Sequence, residues 1–223
     1  MSPDRSVAPG SDGRLRCPWC LGHDDYEAYH DHEWGRPPER DHEWFEKVCL
    51  EGFQAGLSWL TVLRRRTTLR AAFADFDPEV VRHFDEQRVA EILLDPGVIR
   101  HRGKVVSVIN NARCSVEMID RWGSLSAFFT RFAESDRPRP ETVGSVPAVT
   151  PTSTALSSEL RRAGWTFVGP TTMYALMQAN GLVDDHLAGC ETAPPGRSHR
   201  QWIRAVPDAG ARGAHLYSDG RGG

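Results

Sequence analysis

Cys17 and Cys20 stand as Cys-x-x-Cys, and His186 and Cys190 stand four residues apart in "VDDHLAGC". On a helix, a spacing of four puts His186 and Cys190 on one face, as half of a tetrahedral metal site or as a core cysteine near a turn histidine, and Cys-x-x-Cys is a frequent zinc hook. A Cys-x-x-Cys hook usually closes on a second hook, and this chain has none. The remaining donors are the histidines of "AYHDHEWG". That leaves Cys17 or Cys20 with His30 or His32, closing on His186 and Cys190. A site of two Cys and two His holds a structural ion and leaves no open position for a reacting water, which argues against a metal-dependent hydrolase. It would tie the amino-terminal segment to the far end of the domain.

A second group could bind a flat ring. "LEGFQAGLSW" supplies Glu51 and Trp59, eight apart, a little over two helical turns unless Gly56-Leu57-Ser58 breaks the helix and swings Trp59 inward. "DDYEAYHDHEW" adds Tyr26, Tyr29 and Trp34. Taken singly, aromatics on amphipathic helices are mostly core residues, and an isolated glutamate usually faces solvent.

The elements that must position these residues read as helices throughout, an all-α pattern. Asp41 is expected to cap a helix through "HEWFEKVCLEGFQAGLSWLTVLRR", in which Gly52 and Gly56 allow close approach. Asp77 before Pro78 and Asp85 cap two short helices, and Asp95-Pro96-Gly97 makes a turn. A longer helix is expected from Lys104 to Ile119, another from Ser124 to Ala133, one capped by Ser153 and ending at Gly164, and one closing at Gly181. Between the last two, "WTFVGPTT" is a glycine-containing turn ahead of a helix N-terminus, which presents backbone N–H groups to a phosphate.

Composition bounds the rest. The 223 residues are 39% hydrophobic, enough for one compact domain. Residues 1–14 and the tail 195–223 are polar without periodicity and are expected to be disordered or flexible, leaving 15–194 as the domain. Lys+Arg 27 against Asp+Glu 30 gives a net charge of -3, so any nucleic-acid surface must be local, as at Arg64 to Arg66 or "RHRGK", residues 100–104. The odd count of 5 Cys points to reduced thiols or metal ligands. No apolar run approaches the roughly 20 residues of a membrane span, and a cytoplasmic location is the expectation.

"CPW", "YEAYHDHEWG", "CLEGFQAGLSWLTVLRRR", "GVIRHRGKVVSVINNAR", "PTSTALSSELRRAGWTFVGPTT" and "GLVDDHLAGC", in this order from about Arg16 to Cys190, resemble 3-methyladenine DNA glycosylase I, of the helix-hairpin-helix DNA glycosylases. The resemblance implies an all-α helix-hairpin-helix bundle with a structural zinc joining the N- and C-terminal segments. It selects Cys17, His30, His186 and Cys190 as the ligands. It implies a monofunctional enzyme that flips 3-methyladenine out of double-stranded DNA and hydrolyses its glycosidic bond; a monomer is the expectation. Glu51 would read the edge of the base, Tyr29 and Trp59 would sandwich it, and Trp19 and Tyr26 would line the pocket. Asp184 falls near a position that is catalytic in other helix-hairpin-helix glycosylases; here a structural role, as a cap or a support of His186, is expected. The competing reading, a zinc-stabilised DNA-binding module without catalysis, would have no use for Glu51, Tyr29 and Trp59.

Overall fold

The structure, a computed structural model, describes residues 5–134 and 137–192; the tail 195–223 lies outside the described residues. Helix follows helix: α1 Asp24–His32, α2 Asp41–Gln54, α3 Trp59–Ala72, α4 Pro78–Val81, α5 Glu86–Leu94, α6 Arg102–Trp122, α7 Leu125–Phe129, α8 Pro151–Arg162 and α9 Pro170–Ala179. Added to the all-α expectation, among the described residues, are an isolated bridge between Glu134 and Val183 and a two-stranded antiparallel ladder, β1 Ala8–Pro9 with β2 Leu15–Arg16, inside and just beyond the segment expected to lack structure. Gly13 turns it with φ 82°, and Arg16 anchors it through Asp12 and the buried Asp31.

The helix expected from Asp41 is two helices, parted at the break that Gly56-Leu57-Ser58 offered. Gly56, at φ 79°, takes a left-handed turn that a β-carbon would strain, and Ser58 restarts the chain by accepting a bond from Thr61 N at 3.2 Å. Asp41 is not a cap. Glu43 reaches back to the backbone N–H of Arg40 at 3.0 Å and closes the end itself, while Asp41 accepts from Leu125 N at 2.7 Å and ties α2 to α7. Likewise Thr150, not Ser153, caps α8; Ser153 sits one turn in and bonds back to the Thr150 N–H at 3.0 Å. Asp77, Asp85 and Ser124 cap their helices as the sequence predicts.

All of α2 from Trp44 to Phe53 is buried, with α3, α6, α7 and α9 packed around it. Gly52 brings α2 close to the turn before α9, since a β-carbon there would meet Phe167 Cβ at 3.3 Å; Gly56 has nothing within 4 Å, so its role is the turn alone. Gly181 ends α9 at φ 66°, and a β-carbon would lie 2.4 Å from the Gly35 carbonyl oxygen. Gly181→Ala therefore combines backbone strain with a clash that only main-chain movement relieves. We expect a loss of about 2 kcal/mol or more and a Tm lower by about 6 °C, read by thermal unfolding. An unchanged Tm would show that the α1–α9 approach is not tight.

Candidate active site

A cavity of about 320 Å³ opens where α1, α2, α3 and α9 meet. Tyr26 and Tyr29 enter it from α1, Glu51 and Gln54 from α2, and Trp59 from the first residue of α3, with Trp19, Trp34, Gln178 and Asp185 completing the polar and aromatic wall. Every base-pocket residue expected from the sequence thus lines one cavity. Gln54, Gln178 and Asp185 were not foreseen. Gln54, three residues after Glu51, was there to be read as its neighbour on the helix face, but nothing local marks the other two.

Glu51 is 4% exposed, and its Oε2 has no hydrogen-bond partner among the described residues. Burial pushes its carboxyl up from 4.5 to about 8, with Lys47 pulling the other way. Burial therefore favours the protonated acid at neutral pH, and a cation entering the cavity would favour the ionised carboxylate, its proton leaving to solvent. Tyr29 and Trp59 lie 5.3 Å apart between ring centroids at 44°, touching each other instead of framing a gap. A stacked base between them needs about 7 Å, twice the ordinary carbon contact.

Behind this wall, Cys17, His30, His186 and Cys190 bring their ligand atoms within 4.8 Å of one another, all four buried. Cys190 Sγ lies 3.7 Å from both His30 Nε2 and His186 Nδ1, and Cys17 Sγ lies 3.9 Å from His186 Nδ1. A tetrahedral ion with bonds of about 2.3 Å to sulfur and 2.0 Å to nitrogen sets such pairs about 3.6 Å apart, so the donor set fits one. His30 Nδ1 is paired with Asp31 at 2.9 Å, which turns Nε2 inward, and Arg16 holds Asp31 in turn. Cys20 points elsewhere, donating to the Cys17 carbonyl at 3.1 Å, its thiol raised to about 12 by burial. His32 is exposed. The histidines also brace the cavity: Trp34 stacks on His30 at 5.9 Å and meets His186 edge-on at 4.5 Å.

The two aspartates of "VDDH" separate. Asp184 accepts from His186 N at 3.2 Å and pairs with Arg139, fixing the chain at the metal cluster. Asp185 is the one on the cavity, held by Arg137 at 2.7 Å and by Tyr174 and Gln178. The basic clusters divide as well. Arg64 pairs with Asp25, Arg65 with the Pro96 carbonyl, Arg66 with Glu33 and Arg102 with Glu86, while Arg100 is exposed. Lys104 is buried, contrary to a role on the surface: its Nζ donates to the Phe53 and Ala55 carbonyls at 2.8 and 2.6 Å, closing the C-terminal end of α2 just past Glu51. The turn before α9 is pinned by Asn111, which bonds both N and O of Thr166, and by Asn110 on the Gly164 carbonyl. Among the described residues, no side chain caps α9.

Residues 19–193 match the family described as methyladenine glycosylase. The chain belongs to that family. Its members are DNA glycosylases, hydrolases of N-glycosidic bonds, and the chain is an enzyme of that class. It is 43% identical over 177 residues to DNA-3-methyladenine glycosylase 1 of Escherichia coli (strain K12), covering 78% of this chain and 95% of that one. Among solved structures, a crystal structure of 3-methyladenine DNA glycosylase I superposes with TM-score 0.77 at 42% identity, covering 80% of this chain and 100% of that one. The Staphylococcus aureus 3-methyladenine DNA glycosylase I, solved for the structural basis of its 3-methyladenine recognition, gives TM-score 0.78 at 32% identity over 82% and 98%. Among the described residues, no helix is long and apolar enough to cross a membrane.

Proposed function

We propose that this glycosylase flips 3-methyladenine out of alkylated double-stranded DNA and hydrolyses its N-glycosidic bond, working as a monomer and leaving the strand uncut. The observation that carries the reading is Glu51: a buried carboxyl with an unpaired oxygen, in a cavity walled by Trp19, Tyr26, Tyr29, Trp34 and Trp59. N3-alkylation makes the base cationic while it is still attached to the sugar, so electron-rich ring faces and an ionisable carboxyl favour it over neutral adenine. The same charge weakens the glycosidic bond, so stacking and a hydrogen-bonded edge suffice without a strong general acid. The base enters as Trp59 swings away from Tyr29 about the Gly56–Ser58 break. Glu51 then releases its proton to solvent and accepts from the base edge; as the glycosidic bond breaks, its electron pair leaves with the base and cancels the base's positive charge, while water bonds to the anomeric carbon and gives its proton to solvent.

Strand cleavage through a Schiff base needs a lysine amine at the sugar. Lys47 and Lys104 both commit theirs elsewhere, to Glu33 and to the end of α2. Cys17, His30, His186 and Cys190 would hold Zn2+, which supplies a structural cross-link and no chemistry at the base. α8, the turn at residues 163–169 and α9 make the helix-hairpin-helix that grips the phosphate backbone with free N–H groups.

Purified protein incubated with methylated duplex DNA should release free 3-methyladenine, separated by chromatography, and produce abasic sites without strand breaks. Zinc-replete, folded protein that released no base would remove the proposal.

A further inference from the structure

Glu33, Lys47 and Arg66 form a group of charges behind Tyr29 that the proposed function leaves unused. Lys47 stands on α2 four residues before Glu51, a spacing at which the two side chains leave the same helix face and ordinarily meet. They do not pair here. Lys47 Nζ bonds Glu33 Oε1 and lies 5.3 Å from the centroid of the Tyr29 ring. Arg66 of α3 fixes Glu33 from the other side, its Nη1 2.6 Å from each carboxylate oxygen. Glu51 Oε2 stays buried without a partner, although a suitable cation sits one turn away. A buried acceptor left unpaired is costly, so a fold that withholds the obvious donor is arranged around something else that uses the acceptor.

We propose that Glu33, fixed by Arg66, is a specificity-setting positioning residue: it holds Lys47 off Glu51 and so keeps one carboxylate oxygen of the cavity free for a cationic base. The identity of the base rests on the proposed function, whereas the arrangement of charges does not. Among the described residues, the other ionisable groups facing Glu51 are the hydroxyls of Tyr26 and Tyr29 from α1 and, across the cavity, Asp185 after α9. None of these brings a positive charge, so Lys47 is the group whose position sets how readily Glu51 ionises.

Glu33→Gln frees Lys47 to turn toward Glu51, and Glu33→Gln/Lys47→Met removes the competitor as well. The titration midpoint of the Glu51 carboxyl, followed by 13C NMR in the whole protein without DNA, should fall by about one unit in Glu33→Gln, a tenfold change in ionisation. It should return to the wild-type position or above in the double variant. Release of 3-methyladenine from methylated duplex DNA should slow about tenfold in the single variant and recover in the double. If Glu33→Gln does not fold, Lys47→Met alone serves: its Glu51 midpoint should rise, and a fall would overturn the idea. An unmoved midpoint in Glu33→Gln, or a double variant slower than the single one, as additive structural damage would produce, would also overturn it. A midpoint that moves and reverts in proteins that release no base would leave the arrangement standing and count against the proposed function alone.

Discussion

Glu51→Gln is expected to slow release of 3-methyladenine about a hundredfold, the usual scale for removing one preorganised charge or donor from a closed site. The amide keeps the shape of the side chain but has no proton to give up, so it cannot turn negative as the cationic base arrives. Discrimination between 3-methyladenine and normal adenine should fall with it. The pH profile separates this from simple damage. Burial holds the Glu51 carboxyl up near 8, so in the free enzyme the ionised form grows with pH, and kcat/KM should rise toward about pH 8 in the wild type and be flat in the variant. An equally steep profile in both proteins would take Glu51 out of the reaction.

The same group makes a stability prediction of definite sign. Its folded value of about 8 lies above the ordinary 4.5, so the folded state holds the proton that the unfolded chain releases. The contribution to stability is full below about pH 4.5, declines as pH rises, and is lost by about pH 8. At pH 7 the decline amounts to about 3 kcal/mol, which Glu51→Gln does not suffer. Thermal unfolding at pH 5 and pH 8 should therefore show a larger drop for the wild type than for the variant.

Removing the metal should have the second large effect. Freshly purified protein should carry one zinc per chain, and Cys17→Ala should lose it, along with about 3 kcal/mol or more of stability and about 10 °C in Tm. The loss should reach the cavity, because Trp34 rests on His30 and His186 and Trp19 lies edge-on to His30 at 5.2 Å; the near-ultraviolet circular dichroism of the tryptophans should change. The backbone bond from Glu191 N to the Leu15 carbonyl still joins the two ends, and Ala188 N remains bonded to the Pro140 carbonyl of the connector, so the variant should loosen without unfolding outright. Cys20→Ala should keep the ion, since its sulfur is bonded to the Cys17 carbonyl outside the cluster. A chain without stoichiometric zinc whose Cys17→Ala variant is unchanged in Tm would end the zinc assignment.

Helix periodicity, the caps at Asp77, Asp85 and Ser124, and the break at Gly56 were legible because each depends on residues within one or two turns. Where a neighbour could do the same job, local reading picked the wrong member: Glu43 closes the start of α2 and frees Asp41 for α7, and Thr150 takes the place given to Ser153. Spacing alone left Cys17 or Cys20 and His30 or His32 open. The family likeness named Cys17 and His30, and the structure brings those two to His186 and Cys190. By itself, then, the sequence determined an all-helical chain, a likeness specific enough to place it in a family, and the residue types of a metal cluster and an aromatic pocket, since these are properties of order and spacing. Only the tertiary structure decided that Lys104 is buried at the end of α2, that Asp185 and not Asp184 faces the cavity, and that Lys47 turns from Glu51 to Glu33. It also decided that Glu51 is buried, which raises its carboxyl to about 8. Each of these depends on which distant charges and carbonyls surround a side chain, and on how much water the packing excludes, neither of which spacing along the chain encodes.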